Sequence, residues 1–253
     1  LAQNYKDDPD TKTWLKQFAT QHDHEYVRRV AVEELAQNYK DDPDTKTWLK
    51  QFATHDKNWF VRSAAVEELA KNYKDDPDTK TWLKQLATQD YDKYMRSTAV
   101  EELAKNFKDD PDTKIWLKQR ATQNSDNNVR GVAVKELAKN FKDDPDTKSI
   151  IKERATQDDH EYVRRAAVQN LAKHFKYQLK LFEIYHHCAV NDPFKGSHEP
   201  PFNPNPRRIA LEIIIKQFPQ HDQTLPLLRD RTENDPDEQV REFAQKKLAQ
   251  LEK

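Results

Sequence analysis

The sequence predicts an all-α fold, a right-handed α-solenoid of about seven stacked helix pairs, and three observations predict it. The hexapeptide Lys6-Asp7-Asp8-Pro9-Asp10-Thr11 returns at residues 40–45, 74–79, 108–113 and 142–147, so that Pro9, Pro43, Pro77, Pro111 and Pro145 recur every 34 residues. A fixed period of this size marks a stacked array of helical hairpins. Apolar residues fall at helical spacing twice within each period. Glycine is reduced to Gly131 and Gly196, while charged residues make up 34% and hydrophobic ones 35% of the chain. That composition suits short amphipathic helices and argues against a glycine-rich sheet protein. A length of 253 residues ordinarily suggests one or two globular domains. An array evades that rule, because each unit touches only its neighbours.

Each period reads as two helices. Asp8 has the chemistry of an N-cap, since its carboxylate can accept from free backbone N–H groups. Pro9 follows at the first helical position, where its missing donor costs nothing. Asp10 adds negative charge at the positive end of the helix dipole. The first helix is predicted from about Pro9 to Thr20, with Trp14, Leu15, Phe18 and Ala19 as its buried stripe. A polar break spans Gln21 to His24. The second helix starts near Glu25, buries Val27, Ala31, Val32, Leu35 and Tyr39, and ends at Lys40-Asp41-Asp42. A lone pair cannot bury both stripes, so neighbours must stack.

One solenoid over 1–253 is expected, with regular repeats over 1–170, a divergent repeat over 171–218 and a capping repeat over 219–253. In the divergent repeat, Tyr177-Gln178-Leu179 replaces the Asp-Asp-Pro signature, and a proline-rich loop is inserted from Asn191 to Pro206. Arg207-Arg208-Ile209-Ala210-Leu211 then resumes the second-helix pattern. The polar tail from Gln245 to Lys253 suits a solvent-facing cap, which open arrays need. Leu1-Ala2-Gln3-Asn4-Tyr5 matches the second-helix end Leu35 to Tyr39, so the sequence reads as the end portion of a larger protein.

Bulk chemistry narrows the function classes. The formal net charge is −1, which argues against nucleic acid as a partner. No apolar run is long enough to span a membrane. A single cysteine, Cys188, excludes an internal disulfide and fits a reducing compartment, so the cytoplasm is the expected location. No catalytic constellation emerges, and neither a cofactor nor a metal is expected. The Asp-Asp-Pro-Asp loops are explained by helix capping. His186, His187 and Cys188 are adjacent on a helix, so they point in different directions and cannot all bind one ion with His198.

Each second helix carries an Asp a few residues before Val-Arg, with Ala three residues after the Arg. The instances are Asp23 with Val27-Arg28, Asp56 with Val61-Arg62, Asp90 with Met95-Arg96, Asp126 with Val129-Arg130, Asp158 with Val163-Arg164 and Asp235 with Val240-Arg241. This pattern resembles the HEAT repeat, in which such residues form a ladder between stacked units. A structural ladder of Asp23, Arg28, Arg62, Arg96, Arg130, Arg164 and Arg241 is what the resemblance implies, with Arg207 aligned in the sixth repeat. The period also suits a tetratricopeptide repeat, but that family's Gly and Tyr pattern is missing. The near-identical Asp-Asp-Pro-Asp units and the ending from Leu227 to Arg241 are similar to the C-terminal HEAT arrays of bacterial, especially cyanobacterial, NACHT-type signalling NTPases. That similarity implies a ligand-sensing or regulatory region, non-catalytic in itself. No glycine-rich phosphate loop stands in this sequence. A weaker resemblance runs to phycobilin lyase subunits, and a stand-alone interaction scaffold is the remaining alternative.

The expected partner is a protein, either an unidentified ligand or the N-terminal part of the same larger protein. The residues expected to touch it are Tyr26, Phe60, Tyr94 and Tyr162, each directly before the Val/Met-Arg step, with Trp59, Tyr91, Arg29 and Arg165 nearby. A duplicated unit that keeps its core and varies one rim offers that rim for recognition, and exposed aromatics beside charges are typical interface anchors. The same residues also suit a plain aromatic staple between helices. The recurrent lysines of the first helices, such as Lys12, Lys46, Lys80, Lys114 and Lys148, read as a solvated face balanced by Glu33, Glu34, Glu67, Glu68, Glu101 and Glu102.

Overall fold

The structure, a computed structural model, describes residues 9–195 and 205–252. The hexapeptide's first copy up to Asp8, and Gly196, His198 and Phe202 of the inserted loop, lie outside the described residues. Among the described residues there are fourteen α-helices and no strand. They form the all-α solenoid of about seven helix pairs that the sequence predicts.

Two compact units divide the chain, Leu1–Trp116 and Leu117–Lys253. The division falls inside a helix of the regular array. In the first unit the hairpins are α1 (Pro9–Gln21) with α2 (Glu25–Asn38), α3 (Pro43–His55) with α4 (Trp59–Asn72), and α5 (Pro77–Gln89) with α6 (Lys93–Asn106). The second helices form a layer of their own, α2 against α4 and α4 against α6. The helix α7 (Pro111–Gln123) carries the division. The second unit holds α8 (Asn127–Asn140), α9 (Pro145–Gln157), α10 (Glu161–His174), α11 (Phe182–Asn191), α12 (Pro206–Gln217), α13 (Thr224–Asn234) and α14 (Glu238–Leu251). Its second helices follow in the same way, α8 on α10, α10 on α12, and α12 on α14.

The local chemistry of each helix start repeats with the sequence. The carboxylates of Asp42, Asp76 and Asp110 each accept from the N–H two residues on, at 2.9 Å, directly before a proline at the first helical position. A cap of this kind contributes about 0.5–2 kcal/mol. The second helices are capped at the residue four before the arginine, by Asn58, Asp92 and Asp126. The second helices end at Asn38, Asn72 and Asn106, short of the following Asp-Asp. An aromatic residue closes each end, its N–H donating to the leucine four before it, as from Tyr39 to Leu35 and from Phe107 to Leu103.

The core of the first unit is a ribbon of Leu35, Leu49, Leu69, Leu83 and Leu103, all fully buried. Fully burying such a side chain contributes about 1.5–3 kcal/mol. In the second unit Leu137, Ile151, Leu171, Phe182 and Tyr185 take this place.

Two expectations are corrected. Trp14 is half exposed. The buried stripe of a first helix is Thr45, Leu49, Phe52 and Ala53, so the tryptophan sits on its flank. There Trp48 stacks on Phe52, with ring centroids 4.4 Å apart. The lysines and glutamates are not a balanced solvated face either. Lys12 is paired with Asp42, Lys46 with Asp76 and Lys80 with Asp110, each binding the cap of the next repeat. Glu68, Glu102 and Glu136 are buried and accept from the side-chain amides of Asn72, Asn106 and Asn140 at 2.7–2.9 Å.

Candidate protein-binding surface

The surface is held in register by arginines at the turn inside each hairpin. Arg28 sends Nε and Nη2 to the Asp56 carboxylate at 3.0 and 3.2 Å, and Nη1 to the carbonyls of His22 and Asp23, both at 2.9 Å. Arg28 thus ties its own turn to the next. Arg62 reaches Asp92 at 2.5 Å and the Asp56 carbonyl at 2.8 Å, and Arg96 reaches the Asp90 carbonyl at 2.6 Å. In the second unit Arg130 grips Asp158 at 3.0 and 2.8 Å, and Arg164 grips Asp192 at 2.7 and 3.0 Å. Arg207 grips Asp235 at 3.0–3.2 Å, and Arg241 closes the series on the Asp235 carbonyl at 2.7 Å. The planar guanidinium fork matches a carboxylate on one edge and leaves Nη1 for carbonyls.

The expected ladder partners differ in detail. Asp23 joins through its carbonyl; the rung carboxylates Asp56, Asp158 and Asp235 lie six residues before the arginine of their own repeat, where His22 stands in the first repeat, while Asp92 lies four before Arg96. Asp126 caps α8, while the carbonyl of Asn124 receives Arg130. The long insertion does not break the series. Arg207 Nη1 takes the carbonyls of Asp192 and Phe194 at 2.8 and 2.7 Å, so the loop leaves from and returns to the ladder. Burial works against charge on Asp158, yet hydrogen bonds from Arg130 and from the backbone N–H of His160 hold its carboxyl below the ordinary value. Burial likewise opposes charge on Arg164, and the bond to Asp192 more than offsets it, raising its pKa.

Above these turns lie the candidate contact residues. In the first unit, Tyr26 and Tyr91 are 61% and 79% exposed, and Trp59 and Tyr94 are also exposed. Trp59 stacks on Tyr94 of the next repeat, centroids 4.6 Å apart and planes 22° from parallel. The Arg29 guanidinium lies 4.1 Å from the centre of the Phe60 ring and pairs with Glu33 at 2.6 Å. Arg62 lies 5.5 Å from the centre of Tyr91. In the second unit Tyr162 is half-buried, with Arg165 at 5.6 Å from its ring centre. It rests on Gly131, where an added Cβ would stand 2.4 Å from a ring carbon. Trp59 with Tyr94, Arg29 with Phe60, and Tyr162 on Gly131 thus pack side chains of neighbouring second helices together, while Tyr26, Trp59, Tyr91 and Tyr94 are exposed.

An open cleft of about 640 Å³ lies between the turns of the first two hairpins, bordered by His22, Arg28, Trp48, His55 and Asp56. Its arginine is already held by Asp56 and two carbonyls. Cys188 is buried, its Sγ lies 3.5 Å from the Ala155 carbonyl, and burial pushes its thiol up to about 12. His187 is exposed beside Asn191. Among the described residues no group of three or more His, Cys, Asp or Glu side chains is placed to hold a metal. No helix among them is long and apolar enough to cross a membrane.

The fold and its ladders define a helical-hairpin repeat protein. A family model for HEAT repeats matches residues 11–104 and again 80–172, and the chain belongs to that family. No curated protein matches it. Among solved structures, the X-ray structure of YibA of Escherichia coli, a structural genomics target, is similar. It shares 19% identity at a TM-score of 0.48, covering 98% of this chain and 85% of that one. HEAT-repeat solenoids are typically non-catalytic and commonly mediate protein interactions.

Proposed function

We propose that this chain is a protein-binding solenoid whose partner lies along the second-helix rim of the first unit, at Tyr26, Trp59, Phe60, Tyr91 and Tyr94 flanked by Arg29, with Tyr162 and Arg165 as the corresponding contact residues of the second unit. One observation carries the reading: exposed aromatics stand directly before or near the ladder arginine, at positions that vary between otherwise near-identical repeats. Large rigid rings with polar tips supply contact area at little entropic cost. The ladder arginines serve a structural role in this reading, since each one places donors on carbonyls or carboxylates within the protein.

The finer reading is a regulatory C-terminal region of a NACHT-type signalling NTPase, working in the cytoplasm. It rests on the repeated Asp-Asp-Pro-Asp units and the ending from Leu227 to Arg241. In that setting, partner binding at the rim shifts an equilibrium in the attached engine. The rim is tested by capture from a lysate of the source cells with wild type and with Tyr26→Ala, Phe60→Ala and Tyr94→Ala combined. Partners retained equally by both remove the rim from the argument. The gene upstream tests the finer reading: a phosphate-binding loop there supports it, and a start codon just before Leu1 ends it.

A further inference from the structure

The lysine rungs at the other end of the hairpins change in the second unit. Lys12, Lys46 and Lys80 are each neutralised by the cap aspartate of the next repeat. Lys148 occupies the same place in its repeat, but the position opposite is Gln178, and the neutral amide oxygen is what it meets. Lys152 and Lys180 lie close enough to repel it, and no acidic partner stands against Lys152, Lys176 or Lys180 among the described residues. The nearest aspartate caps do not compensate, because Asp144 and Asp146 are taken by Lys118 at 2.6 and 2.9 Å. A cleft of about 360 Å³ opens here, bordered by Lys142, Asp143, Asp144, Pro145, Lys148, His174, Phe175 and Gln178, with Asp144 already held by Lys118. Burial and the surrounding Lys173, Lys142, Lys139 and Lys176 lower the pKa of His174, as a locally positive field requires.

Two large apolar side chains stand at the edge of this cationic patch. Tyr177 and Leu179 are 67% and 72% exposed. Tyr177 has φ of 57°, a left-handed conformation unusual for a bulky residue. Such strain is kept where the surroundings fix it, and it tends to cluster at contact sites.

We propose that this open rung is a docking point for an acidic peptide segment of a partner protein, one carboxylate of which takes the place against Lys148 that a cap aspartate holds in the other repeats. The repeats themselves define the missing group as a carboxylate. Tyr177 and Leu179 favour a peptide over a nucleic-acid backbone, which would leave their apolar faces in water. This proposal does not rest on the rim, which lies at the opposite end of the hairpins.

The test is fluorescence anisotropy of a short labelled peptide alternating Glu, Asp and Leu, titrated with the whole chain at low and high salt. Wild type is expected to bind, more weakly as salt rises. Gln178→Asp, which supplies the acid internally, is expected to weaken binding about threefold to tenfold, the range for one lost charge contact and one added repulsion. Lys148→Gln and Leu179→Ser should each weaken it too, with far-ultraviolet circular dichroism checking that the helices are intact. No binding by wild type overturns the proposal. So does equal binding by wild type and Gln178→Asp, or tighter, Gln178-sensitive binding of a single-stranded oligonucleotide.

Discussion

The strongest energetic statement is that each ladder arginine is a joint between repeats, and Arg164→Met tests it. Methionine keeps the aliphatic stem and removes the guanidinium. The side chains of Arg164 and Asp192 are only 5% and 2% exposed, so the substitution leaves the Asp192 carboxylate buried without its partner. The carbonyls of Asp158 and Asp159 lose their donor as well. Breaking a buried pair on one side costs about 3–5 kcal/mol. With a urea dependence near ~2 kcal/mol per molar, the midpoint should fall by about 1.5–2.5 M. The assay needs two probes, because a solenoid opens by neighbouring units. Trp14, Trp48, Trp59, Trp82 and Trp116 all lie in the first unit, so tryptophan fluorescence reports that unit while circular dichroism reports all helices. Arg164→Met should shift the dichroism transition more than the fluorescence one, and Arg28→Met should do the reverse. As a control, the exposed pair of Arg208 and Glu212 at 3.4 Å should be worth no more than about 1 kcal/mol. Replacing Arg164 and Asp192 together by apolar residues should cost less than Arg164→Met alone. A shift for Arg164→Met no larger than that of the Arg208 control, or strict additivity in the double variant, would refute the joint.

Three further outcomes are expected. Cys188, buried and with its thiol raised to about 12, should resist a thiol reagent in the native protein at neutral pH, and Arg164→Met should speed its labelling by opening the same interface. Glu102 has a raised pKa, chiefly from burial, with Lys105 and Asn106 acting against it. Its penalty is absent well below the ordinary glutamate value and grows as pH rises through it, so Glu102→Gln should raise Tm at neutral pH and not below pH ~4. Asp76 is shifted the other way by the hydrogen bonds from Lys46 and the Asp78 backbone. Its contribution is present above the ordinary 3.8 and is lost as pH falls through the lower folded value, so Asp76→Asn should flatten the acid limb of the stability curve.

Much of the fold was legible because the period is covalent information: prolines 34 residues apart name the start of each first helix of the regular repeats, Pro9, Pro43, Pro77, Pro111 and Pro145. The arginine series was legible for the same reason. Its acid rung was less so, because several aspartates crowd each turn, and only geometry shows that the rung is the aspartate six residues before the arginine at Asp56, Asp158 and Asp235 but the cap itself at Asp92. The lysine series was in the sequence too, at a spacing of 30 between Lys46 and Asp76. It read as a solvated face because a single helix shows its lysines outward, and the partner belongs to the next repeat. Buried Glu102 was hidden by its neighbour Glu101, although Glu102 with Asn106 four residues later recurs as Glu68 with Asn72.

The interface between the fifth and sixth hairpins separates structural decay from retained design. There the repeat has lost its Asp-Asp-Pro signature and gained an insertion, yet the arginine rung survives between Arg164 and Asp192. A third tie survives as well. In the first unit the Asn72 amide donates to the Ala36 carbonyl of the preceding second helix at 3.3 Å. Gln217 on α12 does the same to Ala172 on α10 at 2.8 Å, and its oxygen accepts the Tyr177 N–H at 3.3 Å. A longer side chain has taken over from Asn and also steadies the strained Tyr177. Of these ties between hairpins, only the charged lysine rung is missing, and removing one half-exposed ion pair costs at most about 1 kcal/mol. The interface is therefore held well enough without it. An uncompensated Lys148 is then not a symptom of a failing repeat, since its neighbours pack as tightly as before: Phe175, Leu181 and Phe182 around it are all buried.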